Sequence, residues 1–468
     1  MVDQPKAAVP SLQEGAVREF KAGQRGEVLD AAHPDYEDAR KVWNGLVDKR
    51  PALIARCTGV ADIKNAIEFG RAHNLLTAVR GGGHHGAGFG VCDGGLVIDL
   101  SPMKGMRLDA GKRTIHAQAG LTFAEFDRET AAFGLATPGG QISTTGIAGL
   151  TLGGGIGWLS RRYGLTVDNL LSVDMMTLDG ELVTASADEN QELFWGLRGG
   201  GGNFGIVTSF EYQLHPVTQV LGGSVVHALS DARELLRFLR DWLPSTPDEL
   251  SMLIAFMSAR PDWPIFAGLQ NKVIVSAAVC FCGSLEEGER VVAPLRAFGA
   301  PLLDLVRPLP YTFIQTVNDP YQLPGRPSYY KSTYLKEITD EVIDAVVDAA
   351  NAMTPLSHIH FMTLGGAISR VEENATAYSY RDAAYELYML PIWTDPKETG
   401  WQMEGNRALW ERVQPFVLGR GYLNRETDPQ GSNLAKAFAP GKYERLVALK
   451  KKYDPTNFLR LNHNIEPN

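Results

Sequence analysis

The chain has 468 residues, 44% hydrophobic and 21% charged, with a formal net charge of −9, a size that predicts two or three domains in an ordinary globular protein. The acidic balance, with no basic tract, argues against nucleic-acid binding, which needs phosphate-neutralising Lys and Arg. No apolar run is long enough to span a bilayer, the first twenty residues lack a secretory signal's apolar core, and four cysteines suggest no disulfide framework, so a cytoplasmic protein is expected.

Residues 1–35 carry mixed charge and read as a loosely ordered lead-in. From residue 51, PALIARC reads as a strand, VADIKNAIEFGRAHN as a helix and LLTAVR as a strand, an α/β alternation. A first glycine field follows: Arg80, then Gly81, Gly82, Gly83, His84, His85 and Gly86, with glycines again at 88 and 90. LVIDLS, MRLDA and TIHAQAG are short strands, and Thr122 with Glu125 makes a capping box for a helix ending at Gly134. A second field spans 139–157 and holds Thr145, Gly146, Gly149, Gly153, Gly154 and Gly157. NLLSVDMMTLDGELVTAS reads as two strands turning at Asp179-Gly180. The third field, 198–205, sits between the helix ENQELFWGL and a strand opening at Ile206.

Past Pro216 the texture changes. Residues 218–410 alternate strands such as VIVSAAVCFCG, HIHFMTLGGAI and AYELYMLPIW with amphipathic helices such as DARELLRFLRDWL and DEVIDAVVDAANAM. They contain no glycine field and predict a separate, substrate-facing domain. The chain then gives GYLN, a last helix YERLVALKKKY, and the polar end LRLNHNIEPN.

Glycine fields admit a ligand close to backbone N–H groups, and successive N–H groups form a concavity suited to an anion. Two literal G-x-G-x-x-G matches occur, at 81–86 and 200–205. A nicotinamide-binding fingerprint must open a helix, whereas both matches run on into strand-like sequence. No Gly-Lys-Ser/Thr marks a P-loop. One field is readily a tight turn; three in the first 205 residues, one carrying histidine, point to a large phosphate-bearing cofactor laid across several loops.

The set RGGGH (80–84), DGGLVIDLS (93–101), STTGIAGLTLGGGIGWLSRRYGL (143–165), ELFWGLRGGGGNFGIVT (192–208), the Tyr-x-Asn of GYLN and NHNI (462–465) resembles the berberine-bridge-enzyme-like flavoproteins of the vanillyl-alcohol-oxidase superfamily. The resemblance implies an α+β fold: a two-part FAD-binding domain of the vanillyl-alcohol-oxidase type plus an antiparallel-sheet substrate domain covered by helices. The boundaries expected are 36–217 for the FAD domain, 218–415 for the substrate domain and 416–468 for a C-terminal segment completing the FAD domain. It implies FAD as cofactor, bonded through its 8α-methyl to His84. Arg80, Gly81 to Gly83, His85, Gly86, the second-field residues named above, Ile206, Tyr422, Asn424, Asn462 and Asn464 are the other expected cofactor contacts. Ile142 stands where many relatives carry a second, cysteine attachment, so a single link is expected, as in the hydroxynicotine-oxidase branch. Cys92 reads as a buried thiol.

Oxidation at carbon by flavin sends a hydride to N5 while a base takes a proton. Tyr422 is the candidate base, and Asn424, two residues on, would share its face of a strand. A free phenol titrates near ~10, so Tyr422 would need positive charge or hydrogen bonds to its phenolate. His360 is expected to line the substrate site, and Tyr329, Tyr330, Tyr334, His358, Tyr385, Tyr388 and Trp393 are the further aromatic and imidazole candidates. His358 and His360 share a face, but no third ligand stands at a zinc spacing, so no metal is expected. The expected activity is an oxidase acting on a small organic molecule, with dioxygen as acceptor. The alternatives are a dehydrogenase using another acceptor and a non-catalytic, flavin-bearing drug binder.

Overall fold

The computed structural model describes residues 12–428 and 431–467. Strands Leu53–Arg56 and Thr77–Arg80 run parallel to Leu96–Asp99, which lies between them, and Val28–Leu29 adds antiparallel to Leu53–Arg56. Parallel neighbours need a crossover. Helix Val60–Ala72 makes the first one; the return from Arg80 to Leu96 is made by the glycine loop itself. A second sheet of five antiparallel strands follows, in the order Met106–Asp109, Thr114–Gln118, Ile206–Gln213, Leu170–Met176, Leu182–Ser186. Its last hairpin turns at Asp179-Gly180, where Gly180 has φ +81°. Thr122 and Glu125 form the reciprocal capping box in front of helix Phe123–Ala131.

The lead-in differs from expectation. Residues Glu14–Gly23 form a helix whose Phe20 stacks on Phe69, ring centroids 4.2 Å apart, so the mixed charge belongs to the solvent side of a docked helix. Residues 1–11 of that stretch lie outside the described part of the chain.

The second half is built on one nine-stranded antiparallel sheet. Its order is Leu303–Asp304, Gln219–Ala228, Val273–Phe281, Leu250–Ser258, His358–Thr363, Tyr385–Leu390, Lys331–Leu335, Val417–Arg420, with Arg307–Pro310 also paired to Gln219–Ala228. Side chains alternate across it. Met252, Ile254, Phe256, Phe361 and Leu387 face a layer that includes helices Ala232–Trp242, Asp340–Asn351 and Thr399–Val413. Leu253, Met362 and Tyr334 face the other way, onto Trp158 and Leu159 of the glycine-rich half. Both faces are covered, which is why Leu250–Ser258 is buried along its whole length. The polar residues His360, Glu386 and Tyr388 fall on the second face, with His360 opposite Tyr388 and Met362 opposite Glu386 in the register. Periodicity alone therefore aims them at the glycine fields.

Strand Val417–Arg420, at the end of this sheet, leads the chain back to the first half. Helix Lys442–Tyr453 then packs on Gln191–Leu197. Lys450, buried, pairs with Asp454 at 2.8 Å and donates to the carbonyls of Asn203 and Leu459, tying the tail to the third glycine field.

Candidate active site

The three glycine fields, the tail and the inner face of the large sheet meet at one cavity of about 290 Å³. The first two fields touch backbone to backbone. A Cβ on Gly82 would lie 2.6 Å from Gly146 N and Cα, and one on Gly146 would lie 2.5 Å from Gly82 N. Arg80 lines the cavity, yet its guanidinium is engaged elsewhere: it holds Asp99, its register partner, at 2.7 Å, and donates to the Ala39 carbonyl at 2.6 Å. Its stem underlies Gly83 and Gly90. Arg80 thus fastens the base of the loop and leaves anion contact to backbone N–H groups.

Of the residues expected at the cofactor, Arg80, Gly81 to Gly83, His84, His85, Thr145, Gly146, Gly149, Gly153, Ile206, Tyr422, Asn424 and Asn462 line the cavity. Gly86, Gly154, Gly157 and Asn464 do not, and the three glycines are small for packing reasons. A Cβ at Gly86 would meet Tyr330 at 2.7 Å, at Gly154 Tyr378 at 2.6 Å, and at Gly157 the Gly139 carbonyl at 2.0 Å. His360 is also set back from the wall. It accepts from Arg425 at 3.3 Å and lies edge-on to Tyr388, and those two residues line the cavity in its place. Ile142 lines the cavity, and none of the lining residues is a cysteine. Cys92 is buried against the Leu76 and Leu96 carbonyls, and burial pushes its thiol up to about 12.

Burial lowers the pKa of His84 to about 4, so its ring is neutral at physiological pH. Its imidazole packs against Trp43 with centroids 5.0 Å apart, and Thr144 Oγ1 lies 3.5 Å from its Nε2. His85 turns away from it, toward the tail. The Nε2 atoms of His85 and His463 both approach the Leu423 carbonyl, at 3.2 and 2.8 Å. His85 Nδ1 accepts from Ala87 N–H, which assigns its proton to Nε2. Burial also lowers His85 to about 4 and His463 to about 3. His463 lies within the recognised NHNI stretch, and the sequence reading named only its two asparagines.

Tyr422 and Asn424 are not on a strand. The strand ends at Arg420, and the short 3₁₀ turn Leu423–Arg425 brings the two side chains together. The Tyr422 oxygen accepts from Gly155 N–H at 2.8 Å and from the Asn424 amide at 2.7 Å. The same amide donates to the carbonyls of Leu150 and Gly149 at 3.1 and 3.3 Å, bracing the short helix of the second field. Burial raises the phenol pKa, while the Gly155 and Asn424 donors and the Arg425 charge work against that rise. Arg425 was not foreseen. It pairs with the fully buried Glu386 at 2.9 Å, donates to Gln141 at 2.7 Å, and lies over the Tyr388 ring at 4.6 Å. Of the further candidates, Tyr330 and Tyr388 line the cavity, and Tyr329, Tyr334, His358, Tyr385 and Trp393 do not.

The donor set suits a dinucleotide cofactor with a polar ring end. Glycine N–H groups from three loops can take phosphate. Buried polar atoms without protein partners gather in the tail: Asn462 Oδ1, His463 Nδ1 and Asn464 Oδ1. Such orphaned groups call for a partner. Among the described residues no three His, Cys, Asp or Glu side chains cluster as a metal site, and no helix is long and apolar enough to cross a membrane.

Comparison with known proteins agrees with this geometry. The FAD binding domain family matches residues 51–186, and the family described as berberine and berberine like matches 422–466. An FAD-linked oxidoreductase of Dictyostelium discoideum is 31% identical over 96% of this chain and 97% of its own. The (R)-6-hydroxynicotine oxidase of Paenarthrobacter nicotinovorans is 28% identical over 95% of this chain and 97% of its own. Among solved structures, 6-hydroxy-D-nicotine oxidase from Arthrobacter nicotinovorans superposes with a TM-score of 0.85 at 27% identity, covering 95% of this chain and 98% of that one. The BBE-like 1 protein of Physcomitrella patens shares the fold, with a TM-score of 0.85 at 23% identity over 97% of this chain and 99% of its own. With its glycine fields, its C-terminal motif and these full-length relatives, the chain belongs to the berberine-bridge-enzyme-like FAD-linked oxidoreductases.

Proposed function

We propose that this protein is an FAD-dependent oxidase of a small organic molecule, an alcohol, an amine or an activated ring C–H. Two electrons and two hydrogens leave the substrate, and dioxygen takes them to give hydrogen peroxide. The observation that carries the reading is the placement of one hydroxyl, that of Tyr422, on the cavity wall between the second glycine field and the roofing residues Tyr330, Tyr388 and Arg425. Bound FAD would supply the two-electron acceptor. Gly81 to Gly83, Thr145, Gly146, Gly149, Gly153, Ile206 and Asn462 would hold it largely through backbone and amide groups, and neutral His84 would supply the single covalent link.

The protein's own part is to bind, orient and move a proton. Two N–H donors on the Tyr422 oxygen leave its hydrogen free to face the substrate, and the same donors stabilise the phenolate when the proton has gone. The aromatic roof excludes water and favours a flat or apolar substrate. Gly86, Gly154, Gly157 and Asn464 would shape the walls, and His360 would act only through Arg425 and Tyr388.

Acid precipitation followed by peptide mapping tests the attachment: flavin is expected on the His84 peptide, and its release to the supernatant counts against the link. Oxygen uptake with stoichiometric peroxide tests the acceptor. Anaerobic bleaching without oxygen consumption in air would assign a dehydrogenase instead.

A further inference from the structure

We propose that Trp43 is the positioning residue that aims His84 at the cavity, held in place by a clasp, residues 43–45, between the His84 loop and the substrate domain. The inference rests on the reading of His84 as the flavin anchor and extends it to a residue outside the 51–186 match.

His84 needs an external stop. It follows three glycines, one of them with φ +64°, and lies in a loop without regular structure. The backbone there does not select a side-chain direction strongly. The ring contact that His84 makes is with the Trp43 indole, at 5.0 Å and a 31° tilt. Trp43 also packs on Tyr330 of the cavity roof at 5.8 Å, so it is wedged between the loop and the large sheet. It is buried, and its indole N–H has no acceptor. A buried donor left unpaired costs about 1–3 kcal/mol. The indole N–H is therefore not what the slot uses; the flat aromatic face against the His84 ring is the feature with something to do.

The main chain around Trp43 is fixed on both sides. Trp43 N–H donates to the Gly83 carbonyl at 3.0 Å, next to His84, and the Trp43 carbonyl accepts from Gly325 N–H at 2.9 Å. Asn44 crosses the same gap: its amide donates to the carbonyls of Gly86 at 2.7 Å and Ser328 at 3.0 Å, and its oxygen accepts from Ser328 N–H at 3.1 Å. Gly45 N–H donates to the Arg326 carbonyl at 3.0 Å. The indole therefore sits at an address set by both domains, and the His84 ring is held against it.

Attachment replaces one hydrogen of the flavin 8α-methyl and the imidazole N–H by a carbon–nitrogen bond. The two hydrogens and two electrons pass to the ring system and leave to dioxygen as hydrogen peroxide. The reaction demands that the imidazole nitrogen approach the methyl carbon, and a misplacement of about 1 Å costs roughly a hundredfold in such a step.

The test uses apoprotein from riboflavin-starved cells, mixed with FAD, with acid-stable flavin followed in time. Wild type and Trp43→Phe are expected to attach flavin at similar rates, and Trp43→Leu about ten- to a hundredfold more slowly. In a His84→Ala background, where no link forms, Trp43→Leu is expected to leave FAD affinity unchanged. Trp43→Leu attaching at the wild-type rate overturns the proposal, as does a slowing matched by an equal loss of affinity in that background. Should Trp43→Leu not fold, Asn44→Ala, which frees the clasp and keeps the indole, is expected to slow attachment, and an unchanged rate overturns the proposal. Wild type that releases all its FAD in acid would instead remove the anchor reading, a result visible before any Trp43 variant is made.

Discussion

Gly82 and Gly146 approach so closely that neither has room for a methyl group, since a Cβ on either falls within 2.6 Å of the other's backbone. This contact joins the first two glycine fields into one wall. Gly82→Ala is expected to cost about 1–3 kcal/mol by overpacking, with flavin content falling in step. Gly146→Ala should behave alike, and the double variant should cost less than the sum, because both methyls push on one contact. Urea melts of the three apoproteins and the flavin-to-protein absorbance ratio check this; full additivity would mean the two loops yield independently.

Tyr422 sets the expected pH dependence. Burial raises its pKa above the ordinary phenol value, so the phenolate is a minor form at neutral pH and its fraction grows about tenfold per pH unit. If phenolate is the base, kcat/KM should climb across pH 7–9 without levelling. Tyr422→Phe should flatten that limb and slow anaerobic flavin reduction by about a hundredfold or more. Stopped-flow bleaching at several pH values reads both, and a pH-independent reduction rate in wild type would reject the assignment.

The fold and much of the cavity could be read from residues because backbone demands leave marks in composition. Three glycine fields, a Thr-x-x-Glu cap and an Asp-Gly hairpin each record a local requirement. The inner-face positions of His360 and Tyr388 follow from period two. Tyr422 and Asn424 were paired for a reason the structure replaces: a 3₁₀ turn, not a strand, sets them side by side. Contacts across long separations left no local sign. Glu386 is one carboxylate in an apolar strand, and its partner Arg425 lies 39 residues on. Trp43 precedes the recognised motifs, and only the fold shows that it lies against His84. His463 stands between two asparagines in NHNI, and nothing in that spacing marks it as the residue that meets His85 at the Leu423 carbonyl.

The Glu386–Arg425 pair carries its own prediction. Glu386 is fully buried and Arg425 nearly so, with side-chain exposures of 0% and 15%. Removing one charge of a buried pair leaves the other uncompensated, at a cost of about 3–5 kcal/mol. Glu386→Gln should lie at the low end, because Arg425 opens onto the cavity and keeps Gln141 as an acceptor. A denaturant midpoint equal to wild type would show that Arg425 finds another counter-charge.

A second buried carboxylate predicts a stability change of opposite sign. Asp127, on the helix Phe123–Ala131, accepts from Gln315 at 3.0 Å, while its other oxygen, Gln315 Oε1 and Tyr311 OH lack partners. Burial raises its pKa from 3.8 to about 7, with the Gln315 hydrogen bond opposing. The folded protein therefore holds a proton here that the unfolded chain releases above pH 3.8. Its contribution is fully present below the unfolded pKa and is lost as pH rises through about 7. Asp127→Asn is neutral at every pH, nearly the same in shape, and adds a donor beside the orphaned oxygens. It should raise Tm at pH 8, with the gain shrinking steadily toward pH 5. The comparison needs only melting curves of the two proteins across that range. A gain independent of pH would mean that the amide helps through hydrogen bonding alone, and a loss at pH 8 would mean that the carboxylate is charged in the folded state with a partner of its own.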